Sequence, residues 1–312
     1  MTEVQKQKIV QAIELEEQRL GSANRVASKC GVSSATISQM KRRNWKLIRP
    51  EMWQKVAGAL KVDFSEWVFT REVYNARLLF SVFNDAKDEH LFVAVSHKAG
   101  SGKTATAKHY AKLNAGKGVF YTQAREWAKR EFLLNACQDL GIEIPKGVIS
   151  IDKLGQKVID FFNERAFQSP VWIIDEADKL KPAALRYLIT FYNQLEDKAA
   201  MVILGTENLK KEIERGVRLN KKGYDEIASR FGRNFVSLIG ATLNDIRKIS
   251  TANGITDKNL QKQIFTESKP VQVKVENNGA PTFIKVVEDF RRVKRIIKRE
   301  LIKQNQLQYE TA

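Results

Sequence analysis

The sequence is poor in the residues that build cross-linked or metal-bound scaffolds. Two cysteines, Cys30 and Cys137, stand far apart and outside any CxxC or Cys/His spacing, which argues against a disulfide framework and against a zinc site. Three histidines are too few for a His-based metal centre. No apolar run approaches the roughly 20 residues that span a bilayer, and the first residues are charged and polar instead of a basic stub before an apolar core. The chain therefore reads as cytosolic, without a membrane partner. Low-complexity linkers and internal repeats are lacking too. Acidic residues are in short supply: 36 Asp and Glu face 53 Lys and Arg, a net charge of +17. A surplus of that size points to a polyanionic partner, nucleic acid ahead of a membrane surface, although charge also serves solubility. What is present is enough apolar material, 43% of 312 residues, to fill the cores of about two domains.

Apolar residues recur at helical spacing over the first 67 residues: Ile9, Val10 and Ile13, then Val26 and Ala27, then Ile37 and Met40, then Trp53, Val56, Ala57 and Leu60. Residues 1–67 are read as an all-helical unit, and 68–90 as an amphipathic connecting helix and linker. From Leu91 short apolar runs alternate with helical patterns: "LFVAVS", "GVFYTQ", "VWIID", "MVILGT" and "NFVSLI". Runs this short and this continuously apolar suit strands of a parallel sheet buried on both faces, with helical crossovers. Residues 91–240 are thus read as an α/β unit of five strands. Residues 241–312 are read as helical, with a polar turn at "ESKPVQVKVENNGAP" and a basic helix from about Thr282 to Gln304.

The stretch "SHKAGSGKTA" follows the first apolar run and precedes the helical pattern "ATAKHYAKL". A phosphate-binding loop needs glycines for a tight turn, inward-facing amides, a lysine for the terminal phosphates and a hydroxyl for Mg²⁺. Ala99, Gly100, Ser101, Gly102, Lys103, Thr104 and Ala105 supply this in order. His97 stands where the first glycine is usual, five positions before Gly102, and either alters how the chain enters the loop or packs its imidazole near the nucleotide. In "VWIIDEADKL" two carboxylates end a hydrophobic strand, the edge where ligands gather in open α/β sheets. Asp175, with Thr104, would hold Mg²⁺, and Glu176 would polarise the attacking water as general base. Asp178 is read as helix-start chemistry. At the end of "MVILGTEN", Thr206 or Asn208 could touch the γ-phosphate or the water. Thr206 is favoured, with Asn208 capping the next helix.

Arg230, in "DEIASRFGRNF", follows a short helical stretch. Phosphoryl transfer commonly draws on an arginine supplied by a neighbour. The succession GxGKT, apolar run with DE, polar strand end and SRF resembles the AAA+ ATPases over residues 91 to about 300. That resemblance implies a P-loop α/β core with a helical lid, ATP and Mg²⁺ as cofactors, and Arg230 acting on the next subunit's nucleotide in a ring or helical filament. It also implies an early lid arginine, for which the comparable stretch "GAPTFIKV" offers Thr282 or Lys285.

"RVASKCGVSSATISQMKRRNW" has the spacing of a helix-turn-helix: Ala27 between the helices, Gly31 at the turn, Ile37 burying the second helix. Ser33, Ser34, Thr36 and Gln39 would face a DNA groove, with Lys41, Arg42 and Arg43 near phosphates. Such a unit ahead of an AAA+ core of this size resembles the phage Mu B family, target-choosing ATPases of transposition akin to insertion-sequence ATPases and helicase loaders. The resemblance implies an ATP-dependent filament on double-stranded DNA in a bacterial cytosol, recruiting and stimulating a DDE-type transposase and released by hydrolysis. A replication initiator or helicase loader shares the same core, and a nucleotide-sensing transcription regulator shares the helix-turn-helix. Arg125, Lys129 and Arg130, after the second strand, are further candidate DNA contacts, with a solvated helix face as the alternative. The basic face of the last helix could meet DNA or an acidic partner.

Overall fold

The computed structural model describes residues 1, 3–62, 67–145, 147–277 and 280–310. Four parallel strands carry the α/β unit: β1 (Phe92–Ser96), β2 (Val119–Gln123), β3 (Val171–Asp175) and β4 (Ala200–Gly205), in the order β1-β4-β3-β2. Their alternate residues serve two cores. Trp172 and Ile174 of β3 join Phe92, Phe120 and Met201 on one face, and Val171 and Ile173 join Val95, Val119 and Val202 on the other. The continuous apolar runs in the sequence follow from this two-sided burial. The fifth run contributes a single parallel bridge, Val95 to Val236: only Ser96 N–H to Val236 O and Val236 N–H to Ala94 O are made, after which the chain turns to Asn75.

The first face is covered by α7 (Lys129–Leu140), α8 (Ile151–Asn163), α9 (Pro182–Leu195), α10 (Glu207–Arg218) and α11 (Tyr224–Arg230); the second by α5 (Tyr74–Asp88) and α6 (Lys103–Leu113). The connecting helix read from residues 68–90 is thus a layer of the α/β unit. Leu79, Phe80 and Phe83 of α5 pack on the sheet beside Tyr110 of α6. Burial of these side chains makes α5 part of that layer and not a solvated spacer.

The N-terminal unit comprises α1 (Glu3–Leu20), α2 (Ala23–Cys30), α3 (Ser34–Lys41) and α4 (Pro50–Ala59). Gly31, at φ 62, closes α2 in the left-handed conformation, and Ala27, Ile37 and Trp53 are buried together. This core is continuous with that of the first sheet face. Arg19 and Lys29 both donate to the carbonyl of Asp139 at the end of α7 (2.7 and 2.9 Å), and a Cβ on Gly141 would meet Leu20 Cδ1 at 2.8 Å. Glu16 pairs with Arg19 and, at 2.9 Å, with Lys29.

The C-terminal unit holds α12 (Leu243–Ala252), α13 (Lys258–Glu267), a β5 (Val271–Asn277) and β6 (Ala280–Val286) hairpin, and α14 (Phe290–Glu310). Two readings are corrected here. The segment taken as a polar turn contains strand β5 and the start of β6, and the last helix begins at Phe290, so Thr282 and Lys285 are on β6. The alternation "VQVKV" against "TFIKV" is the period of two that marks strands.

Candidate functional site

The loop between β1 and α6 is shaped by two glycines at positive φ, Gly100 (84°) and Gly102 (93°). Gly102 is the N-cap of α6, so the helix's free amides and its dipole face whatever the loop encloses, a setting that favours phosphate. The loop lines a cavity of about 990 Å³ together with Asp175, Glu176, Asp178, Thr206 and Arg291. Trp67, Phe69, Val73, Ile249 and Val293 give it an apolar wall suited to a base, and Lys8, Ala12 and Leu15 of α1 form a further side.

Lys103 is buried, and its ammonium donates to the carbonyls of His97 (2.7 Å) and Lys98 (2.9 Å) and to Ser101 Oγ (3.0 Å). Burial pushes its pKa down to about 8, against the pull of Asp175 and Asp178. Asp175 is buried too; burial raises its pKa, opposed by hydrogen bonds from Thr104 and from the Tyr121 hydroxyl (2.9 Å). The residues read as the Mg²⁺ pair are therefore in hydrogen-bond contact. Glu176 occupies the left-handed region at φ 56, a strained setting for a residue with a side chain. Partial burial alone would raise its pKa, but hydrogen bonds from Lys179 (2.7 Å) and Gln123 hold the carboxyl below the ordinary range, so it is ionised at neutral pH.

Thr206 donates to Asp178 Oδ2 at 2.6 Å and accepts from Asn208 N–H at 3.3 Å. The cap of α10 is thus Thr206 and not Asn208, and Asp178 anchors Thr206 beside the loop while its Oδ1 stays buried without a partner. His97 continues the pairing with β4 through Gly205 O (3.3 Å); its carbonyl, bonded to Lys103, faces the site, and its imidazole does not line the cavity.

Three contributors were not foreseen. Asn75 of α5 donates to Ser101 O (3.1 Å) and accepts from the amides of Ile239 and Gly240 (3.2 and 3.1 Å), tying loop, α5 and the start of the C-terminal unit. Phe290 N–H donates to Gly100 O (2.9 Å), and a Cβ on Gly100 would collide with Asp289 Oδ1. Arg291, the next residue, lines the cavity within electrostatic reach of Lys103 and Glu176. The cation that the C-terminal unit places at this cavity is therefore Arg291, where the sequence suggested Thr282 or Lys285. The doubled arginine in "EDFRRV" at a helix start was the available signal.

Arg230 is not among the cavity's residues. Its guanidinium lies over the Tyr192 ring, 4.8 Å from the centroid, with Nε unpartnered. The basic candidates differ in what they touch. Ser33 caps α3 through Thr36 N–H (3.2 Å) and its hydroxyl meets that of Thr36 (2.9 Å), so both are engaged in the helix start; Lys41 pairs with Glu17. Ser34, Arg42 and Arg43 are exposed and Gln39 half-buried. In the α/β unit Arg125 is exposed, Lys129 sits over the Tyr187 ring at 5.3 Å, and Arg130 donates to Ile149 O at 2.6 Å.

A nucleotide with Mg²⁺ fits these residues: the cradle is closed to any Cβ at Gly100, a lysine and an arginine face it, and Thr104 meets a buried carboxylate. Residues 86–212 match the AAA domain family. No curated protein matches the sequence. Among solved structures, Cdc6p from Pyrobaculum aerophilum is similar at 15% identity and a TM-score of 0.45, over 66% of this chain. This chain covers 64% of that protein, under two thirds of its length. The family match over residues 86–212 and the parallel sheet that frames the phosphate loop give the α/β unit the fold of an AAA-type P-loop core.

Proposed function

We propose that the chain is an ATP-hydrolysing DNA-binding protein of DNA transposition. ATP-bound copies assemble on duplex DNA as a ring or filament, recruit and stimulate a DDE-type transposase, and leave the DNA on hydrolysis. The observation that carries this reading is the division of the catalytic set: phosphate loop, carboxylates and Arg291 share one cavity, while Arg230 stands outside it with a buried, unpartnered Nε. A guanidinium placed this way can complete a neighbour's pocket but not its own.

Within one pocket, the loop amides and the N-terminus of α6 bind the phosphates. Lys103 exchanges the His97 and Lys98 carbonyls for phosphate oxygens. Thr104 and Asp175 hold Mg²⁺, which when bound offsets the phosphate charge. Glu176, on releasing Lys179, orients the attacking water and accepts its proton, and Thr206 presents a hydroxyl from the β4 end. The N-terminal helices, through Ser34, Arg42 and Arg43, and the net charge of +17 supply the attraction for DNA.

The test is electron microscopy with random-sequence duplex and a non-hydrolysable ATP analogue. Uniform nucleotide-dependent coverage supports the proposal, and a discrete operator footprint supports a transcription regulator instead. Pull-down of a transposase rather than a replicative helicase separates transposition from helicase loading.

A further inference from the structure

The β5–β6 hairpin has two unlike faces. Directly paired residues share a face in an antiparallel ladder. Val271 with Val286, Val273 with Ile284, and Val275 with Thr282 make one nearly aliphatic face, on which Val286 is fully buried and Val273, Val275 and Ile284 are half-buried. The other face pairs Gln272 with Lys285 and Lys274 with Phe283. All four are exposed, Phe283 to 61%. A two-stranded ribbon is marginal in water on its own, and this one presents a phenylalanine to solvent between two lysines.

The ribbon is tied to the phosphate loop through very few residues. After Val286, Val287 exchanges both backbone hydrogen bonds with Ala241 (2.8 Å each), Glu288 pairs with Lys98 at 2.9 Å, and Phe290 N–H meets Gly100 O. Lys98 and Gly100 belong to the loop that cradles phosphate.

We propose that this hairpin is a duplex-DNA arm, with Lys274 and Lys285 on backbone phosphates and Phe283 against the bases, and that its short tether couples DNA contact to the nucleotide pocket. The occupant follows from charge and shape: a two-stranded ribbon can enter a groove of B-DNA, an apolar ring entering from the minor groove can wedge between base steps, and the chain as a whole carries +17. The inference rests on the DNA-binding reading above.

The test uses the full chain and a random 30-base-pair duplex at several salt concentrations, with ATP analogue for affinity and ATP for turnover. For Lys274→Ala/Lys285→Ala the slope of log affinity against log salt should fall by about 2, near 0.9 for each lost phosphate contact. Stimulation of turnover by DNA should drop, with DNA-free turnover and nucleotide affinity unchanged. Phe283→Ala should weaken binding about tenfold and Phe283→Trp should restore it. If the parent protein binds DNA and these variants bind equally with the same salt slope, the hairpin assignment is wrong while the function stands. If the parent binds no duplex with ATP, both are wrong. Altered self-association with unchanged DNA affinity, or equal displacement by single strands, also overturns the arm.

Discussion

Replacing Glu16 with Gln should loosen the N-terminal unit from the α/β unit, and the effect should fade in acid. Glu16 sits between Arg19 and Lys29, whose side chains are 6% and 10% exposed, and is itself 15% exposed. Burial alone would raise its pKa, but the two cations draw it from 4.5 to about 2. A folded-state pKa below the unfolded value contributes stability that is fully present above about 4.5 and is lost as pH falls towards 2. At 1.36 kcal/mol per pH unit the contribution is about 3 kcal/mol. Lys29 works the other way: burial, then Arg19, lowers its pKa, so its ammonium costs stability. It remains charged throughout acid, however, so it reduces the net value without altering the acid slope. Removing one partner from a buried ionic cluster costs about 3–5 kcal/mol, and Glu16→Gln should lie at the low end at pH 7 because Arg19 and Lys29 keep the Asp139 carbonyl. Between pH 5 and pH 3.5 the gap between parent and variant should narrow by about 1 kcal/mol. Hydrogen exchange of the α2 amides and of residues 137–142, corrected for intrinsic rates, reads this locally. A gap under 1 kcal/mol at pH 7, or one that does not change with pH, would refute the ionic latch.

Lys103, with a pKa of about 8, must be charged to meet phosphate, so nucleotide affinity should fall about fivefold from pH 8 to pH 9, with proton uptake on binding; calorimetry in buffers of different ionisation enthalpy measures both. Glu176→Gln should keep nucleotide affinity within about twofold while lowering turnover by roughly 100-fold or more, and should slow dissociation from DNA when off-rates are followed in ATP. Arg230→Ala should leave ATP binding intact but reduce turnover by about 1000-fold, and mixing with a Lys103→Ala chain should restore part of it if the arginine acts across subunits; equal turnover of the single variant and the parent at every concentration would remove that role.

Legibility in the sequence tracked how local each determinant is. The phosphate loop, Asp175 and Glu176 could be read because each is a short string at the end of an apolar run, and the strand and helix around it are fixed by the same string. The sheet was legible except at "NFVSLI", where apolar content was right but Asn75, 164 and 165 positions upstream, captures the amides of Ile239 and Gly240 and takes the chain off the sheet. Nothing local in "EVYNARLL" marks Asn75 as a hub, because its partners come from two distant segments, Ser101 and Ile239–Gly240. Thr206 and Asn208 could not be ordered by type: both can cap a helix, and the hydroxyl–carboxylate contact from Asp178 decides between them.

The lid shows the same limit from the opposite side. Lys285 and Arg291 are both cations near the end of the chain, and the helical reading from Thr282 favoured the first. Strand pairing of Lys285 with Gln272 turns it outward on the hairpin, and the bond from Phe290 to Gly100 then sets Arg291 at the cavity. A single backbone hydrogen bond to the phosphate loop thus sets Arg291 at the cavity, while strand pairing keeps Lys285 on the hairpin's outer face. On the DNA-arm proposal, the same short segment, with Asp289 and Phe290 beside Gly100 and Val287 beside Ala241, is the connection through which a change at the loop would reach the strand that carries Lys285 and Phe283.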